Sequence, residues 1–293
     1  MAKFSRHSLL KWLILPLLLV TILVWAVVLT TPDDNLHVTF LNVGQGDAIL
    51  IQTPDHQNIL VDGGPSPQAI SLELGRKLPF WDRTVDLMIC TQPQADHITG
   101  LVEVLQRYEV KQVLEPGVCY NSCVYQEWLA LVEEKGIKHD MAKAGQEIDL
   151  GRGIKMEVLN PPGQFFEGTS ADVDNNGVVL KLSWGEISFL LTADIRWEGE
   201  FELIKQRADL KSTVIKVAHH GSKTSATPQF LAVVDPEVAV ISVGANNTFG
   251  HPSPEVVERL KGRLGEDNVY LTSQNGTIEF ITDGEKLWVR VEG

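Results

Sequence analysis

From Val38 to Val291 the chain is a succession of short β-rich runs separated by Gly, Asp and Pro, in two series that each pass from hairpin-spaced strands to alternating strands and helices. In the first series Val38–Val43, Ala48–Thr53 and Asn58–Val61 read as antiparallel strands, parted by Gly44-Gln45-Gly46-Asp47 and by Pro54-Asp55-His56-Gln57. Asp62-Gly63-Gly64-Pro65 ends them, with Asp62 read as fixing the Gly63-Gly64 turn. A helix over 67–78, a buried strand over 86–91, a helix from Ile98 to Tyr108 and a strand over 111–114 follow as an αβ alternation. Next come a helix over 125–136, strands over 147–150 and 154–159, and a polar loop over 161–174. The second series opens with a hairpin, 178–183 and 186–192, about Trp184-Gly185, then a helix over 197–207, a strand over 214–218, a helix over 228–234 and a strand over 238–243. Ser253-Pro254 opens a helix, with Ser253 at the N-cap and Pro254 at the first helical position. Strands over 269–272, 277–282 and 286–291 end the chain, the last two joined by Asp283-Gly284. Two such halves with no linker between Leu36 and Gly293 predict one α/β domain, two sheets stacked face to face with helices outside.

The amino-terminal segment has a different character. Trp12 to Thr30 carries no formal charge and is nearly all apolar; as a helix it would rise about 28 Å, the thickness of a bilayer's hydrocarbon core. Lys3, Arg6 and Lys11 precede it and Asp33-Asp34 follow it, so the positive-inside rule predicts a single-pass anchor over 1–34 and an extracytoplasmic domain over 35–293. A cleaved signal peptide is the rival, although Ala26-Val27-Val28-Leu29 offers no clear small-x-small site. Outside the cytosol Cys119 and Cys123 can persist as a disulfide or stand as two thiols, while Cys90, at the end of an apolar run, reads as a buried strand residue. With 25 Lys and Arg against 38 Asp and Glu, a net charge of −13 argues against coating nucleic acid in bulk; a local metal-bearing or basic cleft remains open.

Polar residues at strand exits carry the functional signal, because a rigid sheet can aim such residues at a common point. Asp96-His97 follows the 86–91 strand and directly precedes a helix; Asp194 follows Phe189-Leu190-Leu191-Thr192-Ala193. His219-His220-Gly221-Ser222-Lys223-Thr224-Ser225 follows the 214–218 strand, and Gly250-His251-Pro252 follows the 238–243 strand after Gly244-Ala245-Asn246-Asn247. Two aspartates and two or three histidines on one rim suit a divalent cation, carboxylates supplying hard oxygen and imidazoles borderline nitrogen. Taken one at a time, each has a plainer reading: Asp96 as an N-cap, a loop histidine as a surface residue, Ser222 and Lys223 as a solvated turn.

The segments Asn42-Val43-Gly44-Gln45-Gly46-Asp47-Ala48-Ile49-Leu50, Leu60-Val61-Asp62-Gly63-Gly64, Asp96-His97-Ile98-Thr99-Gly100-Leu101, Leu190-Leu191-Thr192-Ala193-Asp194, His219-His220-Gly221-Ser222-Lys223-Thr224-Ser225 and Gly250-His251-Pro252 together resemble the metallo-β-lactamase-fold domain of the ComEC family of DNA-internalisation competence proteins. The resemblance runs in order from about residue 37 to 290. It implies an αββα sandwich, a metal site at the sheet edges and hydrolysis of phosphodiester bonds, with single-stranded DNA as substrate and competence or envelope proteins as partners. It also exposes a departure: the superfamily's His-x-His-x-Asp-His, or His-x-Asp-x-Asp-His in this branch, reads Gln92-Pro93-Gln94-Ala95-Asp96-His97 here. Two neutral amides stand where the first metal position would have ligands, so one ion per chain, manganese or zinc, is expected on Asp96, His97, Asp194 and His219 or His220. In the hydrolase reading Asp194 orients the attacking water, and His251, Lys223, Ser222 and Asn246 contact the phosphate or the leaving oxygen. The competing reading is a catalytically inactive binding module of the same fold, favoured by the two glutamines. A third is a hydrolase of another phosphorylated substrate. β-Lactamase activity itself is disfavoured, because it relies on zinc ligands at the positions of Gln92 and Gln94.

Overall fold

The computed structural model describes residues 12, 14–21 and 33–293. The chain divides into two units, residues 1–33 and 34–293. In the first, residues 14–21 are helical, and Thr21 Oγ1 donates to the Leu17 carbonyl at 2.8 Å. Much of the expected apolar span over 12–30 lies outside the described residues. Among those described, no helix is long and apolar enough to cross a membrane.

The second unit is an αββα sandwich. One sheet has eight strands, in the order Leu287–Val291, Ile278–Thr282, Leu36–Phe40, Ile49–Gln52, Asn58–Val61, Leu87–Ile89, Gln112–Glu115 and Lys138–Met141. The other has seven, in the order Val269–Leu271, Val238–Ile241, Val214–Lys216, Ile187–Leu191, Val179–Trp184, Lys155–Asn160 and Glu147–Asp149. Strand alternation explains the layering. Ile49, Ile51, Ile59 and Val61 face the inter-sheet core with Phe189 and Leu191, whereas Leu50 and Leu60 face a core under helices Pro67–Lys77, Ala95–Arg107 and Cys123–Glu134. Leu190 and Ile215 point the other way, under helices Trp197–Lys205, Pro228–Val234 and Pro254–Leu264. Phe280 joins the sheets at the centre, its ring meeting Phe40 edge-on at 5.9 Å and Phe189 at 6.0 Å.

Both sheets change from antiparallel to parallel pairing partway across. Asn58–Val61, Leu87–Ile89, Gln112–Glu115 and Lys138–Met141 run parallel, as do Ile187–Leu191, Val214–Lys216, Val238–Ile241 and Val269–Leu271. Parallel strands present all their carboxyl ends at one edge, where α/β sheets place their sites. Every candidate loop leaves from that edge.

Several elements differ from the expectation. The strand Lys138–Met141, at the edge of the first sheet, reads Lys-His-Asp-Met and shows no apolar period. Helix Ala95–Arg107 begins three residues before Ile98, which puts Asp96 and His97 inside its first turn rather than ahead of it; the N-cap is Gln94, so Asp96 is not a cap. Ser66, Ser122 and Thr227 cap their helices through side-chain oxygens, while Ser253 receives Val256 and Val257 N–H at its carbonyl instead. As for the cysteines, Cys119 and Cys123 are free exposed thiols, one of the two states expected of them, and Cys90 is buried as expected.

Helix Ala95–Arg107 lies against the Asp62–Gly64 turn at backbone contact. Gly63 N–H donates to the His97 carbonyl at 2.7 Å and Gly100 N–H to the Gly64 carbonyl at 2.9 Å. A Cβ at Gly100 would overlap the Gly63 carbonyl oxygen, whereas one at Gly75, also in a helix, would meet nothing within 4 Å. Gly100→Ala is expected to destabilise by about 1–3 kcal/mol through forced displacement of this turn, and Gly75→Ala to be neutral or stabilising by about 0.5–1 kcal/mol. Urea unfolding of both variants checks this; equal midpoints would contradict it.

Candidate metal centre

Four strand exits deliver the site, and three of them turn through left-handed backbone. Asp62, Ala193, His219 and His220 all have positive φ, at 59°, 47°, 51° and 52°. Such non-glycine conformations cost about 1–3 kcal/mol each and persist where surrounding structure over-determines them. Ala193 turns the chain so that Asp194 points back over the sheet edge. The His219-His220 pair sits in a short 3₁₀ turn over Ala218–Gly221 that sends the two rings in different directions.

The result is a compact group of donors. One oxygen each from Asp96 and Asp194 and one nitrogen each from His97 and His220 all lie within 4.8 Å of one another. His97 Nε2 and His220 Nε2 both approach Asp194 Oδ2 at 3.3 Å, and His220 Nε2 stands 3.2 Å from Asp96 Oδ2. Each ring is held from behind. His97 Nδ1 meets Asp62 Oδ2 at 2.7 Å, and His220 Nδ1 donates to the Ser242 carbonyl at 2.9 Å. Asp62 is itself held by the Thr91 N–H at 2.8 Å and the Thr91 hydroxyl at 2.6 Å. Fixing Nδ1 in this way leaves Nε2 aimed at the shared point, the arrangement that orients metal-bound histidines. Asp62 therefore orients His97, in place of the turn-fixing role expected of it.

Below the rings lies a second layer of charge. Lys216 is fully buried; its Nζ meets Asp47 Oδ2 at 2.5 Å, donates to the Ala193 carbonyl at 2.8 Å and lies 3.8 Å from Asp194 Oδ1. Asp47 in turn lies 3.5 Å from His220 Nδ1 and 3.8 Å from His97 Nδ1. Burial would push both imidazoles towards neutrality, but the surrounding carboxylates outweigh it: Asp194, Asp62 and Asp96 hold His97 well above its ordinary value, and Asp194 with Asp96 and Asp47 raises His220 to about 10. Burial likewise works against Asp194, yet His220 and His97 hold its carboxyl well below the usual range. A divalent ion at the shared point would take the place of the protons that the imidazoles otherwise carry. With two carboxylate oxygens and two oriented nitrogens, the donor set fits such an ion.

The remaining expected residues lie around this centre. His219 is outside the four-donor group: its Nδ1 is 3.4 Å from Thr224 Oγ1 and its ring faces His251 at 5.5 Å. His220 is the converging histidine because its side chain, unlike that of His219, points towards Asp96 and Asp194. His251 is half-buried on the rim, held neutral first by burial and then by the neighbouring histidines. Ser222 Oγ is buried against Thr224 Oγ1 at 3.0 Å, and Lys223 is exposed. Asn246 is exposed, and its neighbour Asn247 organises the loop, donating to the Gly244 and His251 carbonyls and accepting from the Phe249 and His251 N–H groups. Gln92 and Gln94 stay out of the donor group. Gln94 Nε2 donates to Asp174 Oδ1 at 2.5 Å, and Asp174 Oδ2 is paired with Arg196 at 2.6 Å. Sequence reasoning did not single out Asp174, Arg196 or Lys216 and left Asp47 without a role. The visible signal for Lys216 was a charge in the middle of the apolar run Val214-Ile215-Lys216-Val217-Ala218.

Residues 41–245 match the Metallo-beta-lactamase superfamily. The chain is 29% identical over 260 residues to ComE operon protein 3 of Bacillus subtilis, covering 83% of this chain and 33% of that protein. It is 31% identical over 227 residues to Recombination protein 2 of Haemophilus influenzae, covering 76% of this chain and 26% of that one. It thus spans a third or less of the length of these curated relatives. The crystal structure of the metallo-beta-lactamase fold protein YhfI from Bacillus subtilis has the same fold, with a TM-score of 0.53 at 12% identity, covering 88% of this chain and 100% of that one.

The raised imidazole values set a pH dependence with a definite sign. A histidine whose folded pKa exceeds its unfolded value, about 6.5, contributes stability that is fully present below the unfolded value and is lost as pH rises through the folded one, about 10 for His220. The urea midpoint of the metal-free protein is therefore expected to fall between about pH 7 and about pH 10, and His220→Gln to flatten that fall. Equal declines in both proteins would contradict the assignment.

Proposed function

Because the chain belongs to the metallo-beta-lactamase superfamily, we propose that it is a hydrolase of phosphodiester bonds, acting on single-stranded DNA or a related substrate with one manganese or zinc ion. The observation that carries this is the convergence of Asp96, His97, Asp194 and His220, with both imidazoles tied from behind. The likeness to ComE operon protein 3 and Recombination protein 2, and to Competence protein ComA of Neisseria gonorrhoeae, supports a DNA-uptake setting and partners from that process. The uncharged run from Trp12 to Thr30 behind three bases supports membrane tethering, with the sandwich outside the cytoplasm.

An ion held by the four donors supplies Lewis acidity toward water and a phosphoryl oxygen. The protein's own groups do the rest. Asp194 Oδ1 is buried with no hydrogen-bond partner, so it is free to take a hydrogen bond from an attacking water and orient it. His220 and His97 keep that carboxylate ionised, with the Lys216 ammonium 3.8 Å from Oδ1. His251, neutral on the rim, offers one N–H donor and one lone pair, enough to hydrogen-bond the leaving oxygen.

A second reading, a binding module of the same fold without turnover, is favoured by one observation: the Gln94 side chain is committed to Asp174 and is not a ligand. Metal content and hydrolysis of single-stranded DNA and a simple aryl phosphodiester, measured on the same preparation, separate the two. The hydrolase reading expects about one ion per chain, turnover abolished by Asp194→Ala, and metal affinity weakened by about 10–100-fold in Asp62→Asn, which removes the carboxylate behind His97 and leaves the four donors in place. Bound ion without turnover would establish the module, and a rate indifferent to Asp194→Ala would reject the site.

A further inference from the structure

Beside the four-donor centre the structure contains a second group of polar side chains that the reading above does not use. Arg196 lies two residues beyond Asp194 on the same turn, and Gln94 lies two residues before Asp96 on the other. Asp174, buried at 4% exposure, links them: its Oδ1 accepts from Gln94 Nε2, and its Oδ2 accepts from both Nε and Nη2 of Arg196 at 2.6 Å. The backbone is fixed as well, since Asn175 Oδ1 accepts from the N–H of Arg196 at 2.8 Å and from that of Gly199 at 3.3 Å. Gln94, Asp174 and Arg196 therefore brace the two loops that carry the centre's carboxylates.

Two features show that this brace is not complete in itself. The guanidinium uses one edge on Asp174, and among the described residues nothing accepts from its Nη1; the side chain is about a quarter open to solvent, at 27%. Gln92, fully buried, has no hydrogen-bond partner for either amide atom. Its Oε1 lies against the turn that carries Asp174, 3.2 Å from where a Cβ would stand on Gly177, with the Asp174 carbonyl 3.0 Å from that same point. A buried amide without a partner is costly unless something polar meets it. A locked guanidinium fork with a free edge suits an oxyanion with paired oxygens. Asp174 already accepts from Gln94 and from the Nε and Nη2 groups of Arg196, so the unused donor is the guanidinium's Nη1, which can donate to an oxygen of an anion.

We propose that Arg196, positioned by Asp174, binds a phosphoryl oxygen of the substrate beside the four-donor centre. The ligand class is a phosphate diester or monoester anion. Asp174 is a positioning residue, since it acts through the guanidinium. The proposal rests on the phosphodiester reading and deepens it by naming where the substrate's charge is held. It also gives the glutamine side of the site a use other than metal binding.

The test uses dimethyl phosphate, an unreactive phosphodiester, titrated into the full chain with and without manganese and followed by phosphorus NMR. Two variants are compared with the wild type. Asp174→Asn combined with Arg196→Gln removes the guanidinium without stranding a buried carboxylate, and Arg196→Lys keeps the charge on Asp174 but loses the fork. The wild type is expected to bind, the double variant to bind at least about tenfold more weakly, as for lost charged hydrogen bonds, and the lysine variant to lie between them. Manganese uptake should stay within about twofold of wild type in Arg196→Lys, which keeps a cation on Asp174. Dimethyl phosphate affinity unchanged in whichever variant folds, or no binding by the wild type in either condition, would overturn the proposal. Failure of the metal reading shows separately, as no manganese uptake by the wild type, whatever Arg196 does to phosphate binding.

Discussion

The sandwich closes around a set of charges that would not be tolerated singly. Asp47, Asp62 and Asp194 are buried and Asp96 is half-buried, all within reach of the His97 and His220 rings, with the Lys216 ammonium beneath. Removing one partner from a buried ionic group typically costs about 3–5 kcal/mol, because the other is left uncompensated. Such an arrangement adds little net stability compared with an apolar core, so its presence marks a functional demand. Lys216 supplies a permanent positive charge and the imidazoles an exchangeable one. The centre can therefore carry protons or a divalent ion with little change in its electrostatic balance.

The fold makes that concentration of charge possible by keeping it at an edge. The inter-sheet core and the two helix-covered cores are built from apolar side chains, and the charged groups of the site gather where the parallel strands end. At that edge the chain adopts left-handed backbone at Asp62, Ala193, His219 and His220. Strain is located where direction matters: Ala193 aims Asp194, and the His219-His220 turn separates a ring facing the centre from one facing the rim. The contact of Gly63 and Gly100 draws helix Ala95–Arg107 close enough for the His97 carbonyl to accept from the opposite loop.

Much of this was legible in the sequence, for identifiable reasons. Asn58–Val61 and Pro228–Val234 match their expected bounds because β-branched residues between turn signals, or a Thr-Pro start, decide them locally. The two sheets followed from two series of strands with no linker. Lys138–Met141 was missed because an edge strand pairs on one side only and need not alternate. Helix Ala95–Arg107 was started late because its first turn is spent on Asp96 and His97 rather than on apolar residues. Asp96, His97 and Asp194 could be named from their strand exits. The choice between His219 and His220 could not, since it depends on two backbone angles that no composition rule supplies. Asp174 and Arg196, and the partners of Lys216, were missed for a related reason. Each takes its meaning from a partner some 20 to 170 residues away, so a charged residue in a strand or loop looks ordinary until the chain has folded.

Anomalous scattering from crystals grown with manganese, collected on either side of the manganese edge, tests the central claim most directly. One peak is predicted, bounded by Asp96, His97, Asp194 and His220, with none beside Gln92 and Gln94. Two peaks, or a single peak coordinated by His219 or by the glutamines, would contradict the account.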